Sequence, residues 1–143
     1  MTQIPANIRV PAEIGSLQPL LEFVGSCLTS QGFGEERLRE IELAMEEILV
    51  NIFNYAYPDQ KGEVEISCRC DGGNGLLVEV SDQGVSFDPL SLVVEPDLQA
   101  DVAERAIGGL GVFFVKQLIP GVRYRREEGR NILTLPIEPA VLL

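Results

Sequence analysis

At 143 residues with 45% apolar content, the chain can bury one real core and leaves little room for a second. Its net charge of −11 argues against a nucleic-acid partner, because gripping a phosphate backbone takes clustered Lys and Arg, and here 22 acidic residues outnumber 11 basic ones. With no histidine in the chain, a phospho-accepting imidazole, a Ser-His or Cys-His pair and most zinc sites are excluded, and any proton transfer falls to carboxylates.

Residues 7–10 read as a first strand. From 15 to 30, Leu17, Leu20, Leu21, Val24 and Leu28 recur at helical spacing, and Gly32 and Gly34 end that helix. Leu17, Leu20 and Leu21 suit a core or the interface of a homodimer. A second helix starts at Glu35, carries Leu38, Ile41, Met45, Ile48, Ile52 and Tyr55 three and four apart, and is stopped by Pro58. Residues 63–70 alternate polar and apolar, the pattern of a strand with one face in the core and one in water. Asp71-Gly72-Gly73-Asn74-Gly75 is turn chemistry, so residues 76–82 return as the partner strand of a hairpin.

About 25 irregular residues follow, from 83 to 108, a length that in a compact domain marks a functional or mobile loop. Gly109-Leu110-Gly111 opens a third helix running through Leu118, Pro120-Gly121 breaks it, and two strands around Glu127-Glu128-Gly129 close the sheet. The expected fold class is α+β: a two-layer α/β sandwich, a mixed β-sheet with three helices on one face, formed by residues 1–143 as a single unit. Cys27, Cys68 and Cys70 are expected as small core residues, since a metal reading for Cys68 and Cys70 would need two further ligands. No run approaches the ~18 consecutive apolar residues of a membrane span. Met1-Thr2-Gln3 followed by Pro5 lacks the charged and apolar regions of a signal peptide, so a cytoplasmic protein without membrane contact is expected.

Three short patterns carry chemistry. Glu47 and Asn51 lie ~40° apart on the second helix, at the border of its apolar stripe, while Glu46 lies ~140° from Asn51 and cannot easily join them. A carboxylate one turn from a carboxamide can accept a proton or orient a water while the amide oxygen ligates magnesium; the pair could equally be two solvated residues beside a core stripe. Asp82 follows Leu76, Val78 and Val80 in the period of two, so it faces inward and demands a partner such as an adenine amino group, with Gly84 allowing a ring close to the backbone. Asp-x-Gly also ends many ordinary strands. Gly108-Gly109-Leu110-Gly111 meets a helix, where free amides and the helix dipole favour phosphate, although glycines there also suit a tight turn. The pattern is neither the Walker type, which needs Gly-Lys before Ser or Thr, nor the Rossmann fingerprint, whose third glycine is missing.

Taken together, Glu-x-x-x-Asn on a helix, a hairpin ending in Asp82-x-Gly84-x-x-Phe87-Asp88 and a long loop into Gly-Gly-Leu-Gly resemble the ordered boxes of the Bergerat ATP-binding superfamily, which unites DNA gyrase, heat-shock chaperones, histidine kinases and mismatch-repair proteins. The resemblance covers almost the whole chain. Compact size and the stretch GGLGVFFVKQL look most like the anti-sigma-factor serine protein kinases. That resemblance implies ATP and Mg2+ as cofactors, Glu47 as catalytic base and Asn51 as the magnesium-holding residue. It implies Asp82 on the adenine amino group with Gly84 beneath the ring, Gly109, Leu110 and Gly111 along the phosphates, and Thr134 near adenine. Residues 89–107 would be the lid over ATP, and Phe87 a packing residue. It further implies transfer of the γ-phosphoryl group to a serine of a regulatory protein, an anti-sigma-factor antagonist, with a sigma factor as the other partner. A nucleotide-sensing module that grips a partner without transferring phosphate is the alternative. The chain departs from the pattern in two ways: Tyr55 stands where many relatives have a histidine, and the lid is acidic at Glu95, Asp97, Asp101 and Glu104, with Arg105 and Lys116 the nearby cations.

Overall fold

The computed structural model describes residues 6–92 and 109–140. The chain runs through β1 (Ala6–Pro11), a 3-10 turn (Ile14–Ser16), α1 (Leu17–Ser30), α2 (Glu35–Tyr55), β2 (Glu63–Cys70), β3 (Leu76–Asp82), a second 3-10 turn (Pro89–Leu92), α3 (Gly109–Leu118), β4 (Arg123–Glu127) and β5 (Arg130–Ile137). The five strands form one sheet in the order β1-β2-β3-β5-β4.

Every neighbouring pair is antiparallel, which corrects the expectation of a mixed sheet. The reason lies in the connections. Between β1 and β2 the chain goes out along α1 and back along α2, so it re-enters the sheet at the end it left and β2 runs opposite to β1. β3 and β4 do run the same way, but β5 is inserted between them and pairs antiparallel with both.

The period of two sorts the strands into two faces. Val64, Ile66 and Cys68 of β2, Leu76, Val78 and Val80 of β3, and Leu133, Leu135 and Ile137 of β5 are all buried against Leu20, Val24, Leu28, Ile41, Met45, Ile48, Ile52, Val112 and Val115 of the helices. Each such side chain contributes about 1.5–3 kcal/mol, so this layer rather than helix propensity holds the helices in place. Leu20 is spent in that core, with Leu17 and Leu21 half-buried beside it. The opposite face carries cross-strand ion pairs: Arg9 and Arg130 both approach Glu65, at 3.6 and 3.7 Å, and Arg125 approaches Glu79 at 3.7 Å.

Gly32, at φ +93°, ends α1 as expected, with the Phe33 amide reaching back to the Leu28 carbonyl at 3.0 Å. α2 stops at Tyr55, before Pro58, because the Ala56 carbonyl accepts the Val85 amide at 2.8 Å instead of continuing the helix. Cys27 and Cys68 are buried as expected, but Cys70 is exposed. It shares a face with Cys68, yet it lies at the strand's last residue, beyond the cover of α1, where its thiol donates to Gln31 Oε1 at 3.0 Å.

Candidate functional site

Helical geometry delivers the α2 pair as the spacing implies. Asn51 Nδ2 donates to Glu47 Oε1 at 3.3 Å; Asn51 is 5% exposed, Glu47 is half-buried and Glu46 faces solvent. No donor among the described residues reaches Asn51 Oδ1, which leaves a buried, neutral, hard oxygen of the kind that suits magnesium. α3 packs across α2 so that its third residue meets this pair: a Cβ on Gly111 would run into the Glu47 carboxyl carbon and both its oxygens. Gly109 and Leu110 begin the first turn of α3, so the helix's positive end lies by the Glu47 carboxyl that Gly111 meets. Gly108 lies outside the described residues.

Further along α2 stands the second group. Asp82, the last residue of β3, is 4% exposed and takes two hydrogen bonds on one oxygen: Oδ1 accepts from the Gly84 amide at 2.9 Å and from Asn131 Nδ2 at 2.8 Å. Burial pushes its carboxyl above the ordinary carboxylate value, opposed by those two hydrogen bonds and by the Arg126 charge. The hydrogen bonds from described residues all end on Oδ1, so Oδ2 is a buried acceptor that demands a donor. Gly84 is required for a reason the sequence did not reveal, since a Cβ there would strike the backbone carbonyl of Ala56 at the end of α2. That contact ties Asp82 to the C-terminal end of α2. By helical rise Asn51 lies ~7 Å and Glu47 ~13 Å back along the axis from Ala56, so the groups are strung out over the span of a nucleoside triphosphate. Phe87 packs as expected, its ring 5.4 Å from that of Tyr55.

Thr134 is not brought to this site. It pairs with Glu79, three residues down β5, and lies on the opposite face, where its hydroxyl accepts from Arg125 at 3.2 Å. The residue opposite Asp82 is Asn131, which sequence reasoning missed. Its signal was present: Leu133, Leu135 and Ile137 face the core, so the period of two sends Asn131 inward with them and Thr134 outward. Of the expected lid, residues 89–92 form a turn anchored by buried Leu90, and the remainder, with Glu95, Asp97, Asp101, Glu104 and Arg105, lies outside the described residues. Lys116 is an exposed residue in the last turn of α3. No helix among the described residues is long and apolar enough to cross a membrane.

The family profile described as "Histidine kinase-like ATPase domain" matches residues 10–137. The chain is 26% identical over 130 residues to proteins named "Serine-protein kinase RsbW" from Bacillus thuringiensis (strain Al Hakam) and from Bacillus anthracis, covering 89% of this chain and 81% of theirs. Its fold is similar to that of a solved structure described as the RsbU and RsbW domains of Rv1364c from Mycobacterium tuberculosis, with a TM-score of 0.66 at 17% identity. That likeness covers 99% of this chain but about a third (35%) of the other, so it speaks for one part of a longer protein. The chain belongs to the histidine kinase-like ATPase domain family, and within it resembles the RsbW serine-protein kinases over nearly its whole length.

Proposed function

We propose that residues 1–143 act as one ATP-binding unit that transfers the γ-phosphoryl group to a serine of a small regulatory protein. The observation that carries the reading is the line along α2: a buried acceptor at Asp82 Oδ2, then Asn51 with an amide oxygen that no described residue donates to, then Glu47 against the glycine-rich start of α3. Asp82 Oδ2 would accept from the adenine amino group. The first turn of α3, at Gly109, Leu110 and Gly111, would face the phosphates with its free amides. Asn51 would hold Mg2+, whose chemistry there is to neutralise charge on the phosphates, and the acidic chain gives that neutralisation weight. Glu47 would take the proton from the serine hydroxyl as its oxygen bonds to the γ-phosphorus and the bond to the leaving ADP oxygen breaks; the proton passes on to solvent. Asn131, not Thr134, is the β5 residue of this site.

The RsbW names of the relatives support a protein-serine substrate, and the family resemblance supports an anti-sigma-factor antagonist as that substrate and a sigma factor as second partner. The segment reaching to residue 107 serves in this reading as the lid over ATP, and the protein works in the cytoplasm. Calorimetric titration with ATP, with and without Mg2+, tests the site. Wild type should bind, Asp82→Asn should lose binding, and Asn51→Ala should lose the strengthening by Mg2+. No heat with wild type overturns the reading. Phosphoryl transfer to a candidate antagonist should vanish in Glu47→Ala while ATP binding persists; a wild type that binds ATP and partner without transfer is a nucleotide sensor instead.

A further inference from the structure

We infer that Asn131 is a positioning residue that makes the Asp82 site select a purine carrying a 6-amino group. The inference rests on the ATP reading and deepens it.

Asn131 is 4% exposed and its amide is hydrogen-bonded on both ends. Its Oδ1 accepts from the Phe87 amide at 3.1 Å, the Tyr124 hydroxyl at 2.7 Å and an Arg126 guanidinium nitrogen at 3.0 Å. Those donors fix which end of the amide is oxygen, because a flipped amide would set its NH2 against the Phe87 N–H and the Arg126 guanidinium, neither of which can accept. Nδ2 therefore faces the other way, and both its hydrogens are spent: one on Asp82 Oδ1 and one on the Val85 carbonyl, each at 2.8 Å.

The consequence reaches the ligand. With Oδ1 already accepting from Asn131 and Gly84, the carboxylate is turned so that Oδ2 is the acceptor the described residues leave for a base. The same hydrogen bonds favour the ionised form against burial, and an ionised carboxylate can only accept. It rewards a 6-amino group, gains nothing from a purine without one, and repels the 6-oxo group of guanine. The charged and titratable groups around Asp82 are Arg126 and Tyr124 from β4, which meet at Asn131, and Tyr57 from the segment after α2. Tyr57 is pushed upward, first by burial, and its hydroxyl accepts from the Gln83 amide while donating to the Glu63 carbonyl. The Asn131 hydrogen bond is the largest influence that lowers the Asp82 carboxyl, so removing it moves that carboxyl further upward.

The experiment titrates wild type and Asn131→Ala with ATP, with GTP and with purine riboside triphosphate, which lacks the 6-amino group, across pH 6–9. Wild type should prefer ATP over both. Asn131→Ala should lose ATP affinity by on the order of tenfold to a hundredfold while affinity for purine riboside triphosphate barely moves. Its ATP affinity should also recover as pH rises, since Asp82 re-ionises without the lost donor. Equal losses for ATP and purine riboside triphosphate, or a pH-independent loss, would mean a merely structural role and overturn the inference alone. Wild type that binds none of the three triphosphates would overturn the ATP reading with it. Should Asn131→Ala fail to fold, Tyr124→Phe removes one donor to Oδ1 and should show a smaller loss confined to ATP.

Discussion

Burial holds the Asp82 carboxyl above its ordinary 3.8, and the sign of that shift makes the site costly to the fold. The folded chain binds this proton more tightly than the unfolded one, so stability falls as pH rises from below 3.8 through the raised value, and the whole cost is present above it. Asp82→Asn keeps an acceptor for Gly84 and Asn131 and removes the buried charge. The ligand-free variant should therefore be more stable than wild type at pH 7, by about 1 kcal/mol in chemical denaturation, with the gain vanishing near pH 3, while ATP binding is lost. A variant less stable than wild type at pH 7 would show that Arg126 and the two hydrogen bonds outweigh burial. Gly111 makes the matching case at the Glu47 end of the proposed site. Because the group its missing Cβ would meet is the movable end of Glu47, Gly111→Ala should displace the carboxylate without unfolding α3. Steady-state kinetics should show kcat falling by roughly a hundredfold, well beyond any change in ATP affinity. Both residues were legible in the sequence as types at a spacing. Asn131 was legible too but was passed over, because the resemblance pointed to a threonine on β5 while the alternation of Leu133 and Leu135 already placed Thr134 on the other face.

At the scale of elements, the strong periodic signals carried through. The stripe from Leu38 to Ile52 became α2, and the alternation of residues 63–70 became β2 paired to β3 in the register that sets Val64 opposite Asp82. Strand direction was not legible, because it depends on how a two-helix connection returns to the sheet and no local pattern records that. Nor was the exposure of Cys70, which depends on where α1 ends above β2 rather than on the strand's own period. The joint between elements that matters most for the site is Gly84 against Ala56. There the obstacle is backbone, which cannot swing aside, so Gly84→Ala must push the Asp82 turn away from the end of α2. Such a shift should cost about 1–3 kcal/mol by thermal or chemical unfolding and weaken ATP binding as well. Gly32→Ala, whose φ of +93° is strained for alanine but whose surroundings are open, should cost about 1 kcal/mol and leave ATP affinity unchanged. Comparing the two separates the price of a helix cap from that of the joint.

For the whole molecule the decisive quantity is charge. A chain of net −11 must attract a triphosphate of the same sign, and the local attractions at the start of α3 act only within the first turn of the helix. Beyond a Debye length, about 10 Å at 0.1 M salt, an approaching ATP meets the summed field of the acidic surface, and that field slows encounter. Salt screens this repulsion before it weakens the short-range contacts inside the site. The association rate constant of ATP should therefore rise between about 0.01 and 0.15 M salt, the reverse of the usual behaviour of a basic nucleotide site. Magnesium lowers the ligand's charge before it arrives, so the rise should be steep for free ATP and shallow for its magnesium complex. Stopped-flow measurement with a fluorescent ATP analogue reads both slopes. A rate that falls with salt for both ligands would mean that a local cluster of basic groups, and not the net charge, steers the nucleotide in.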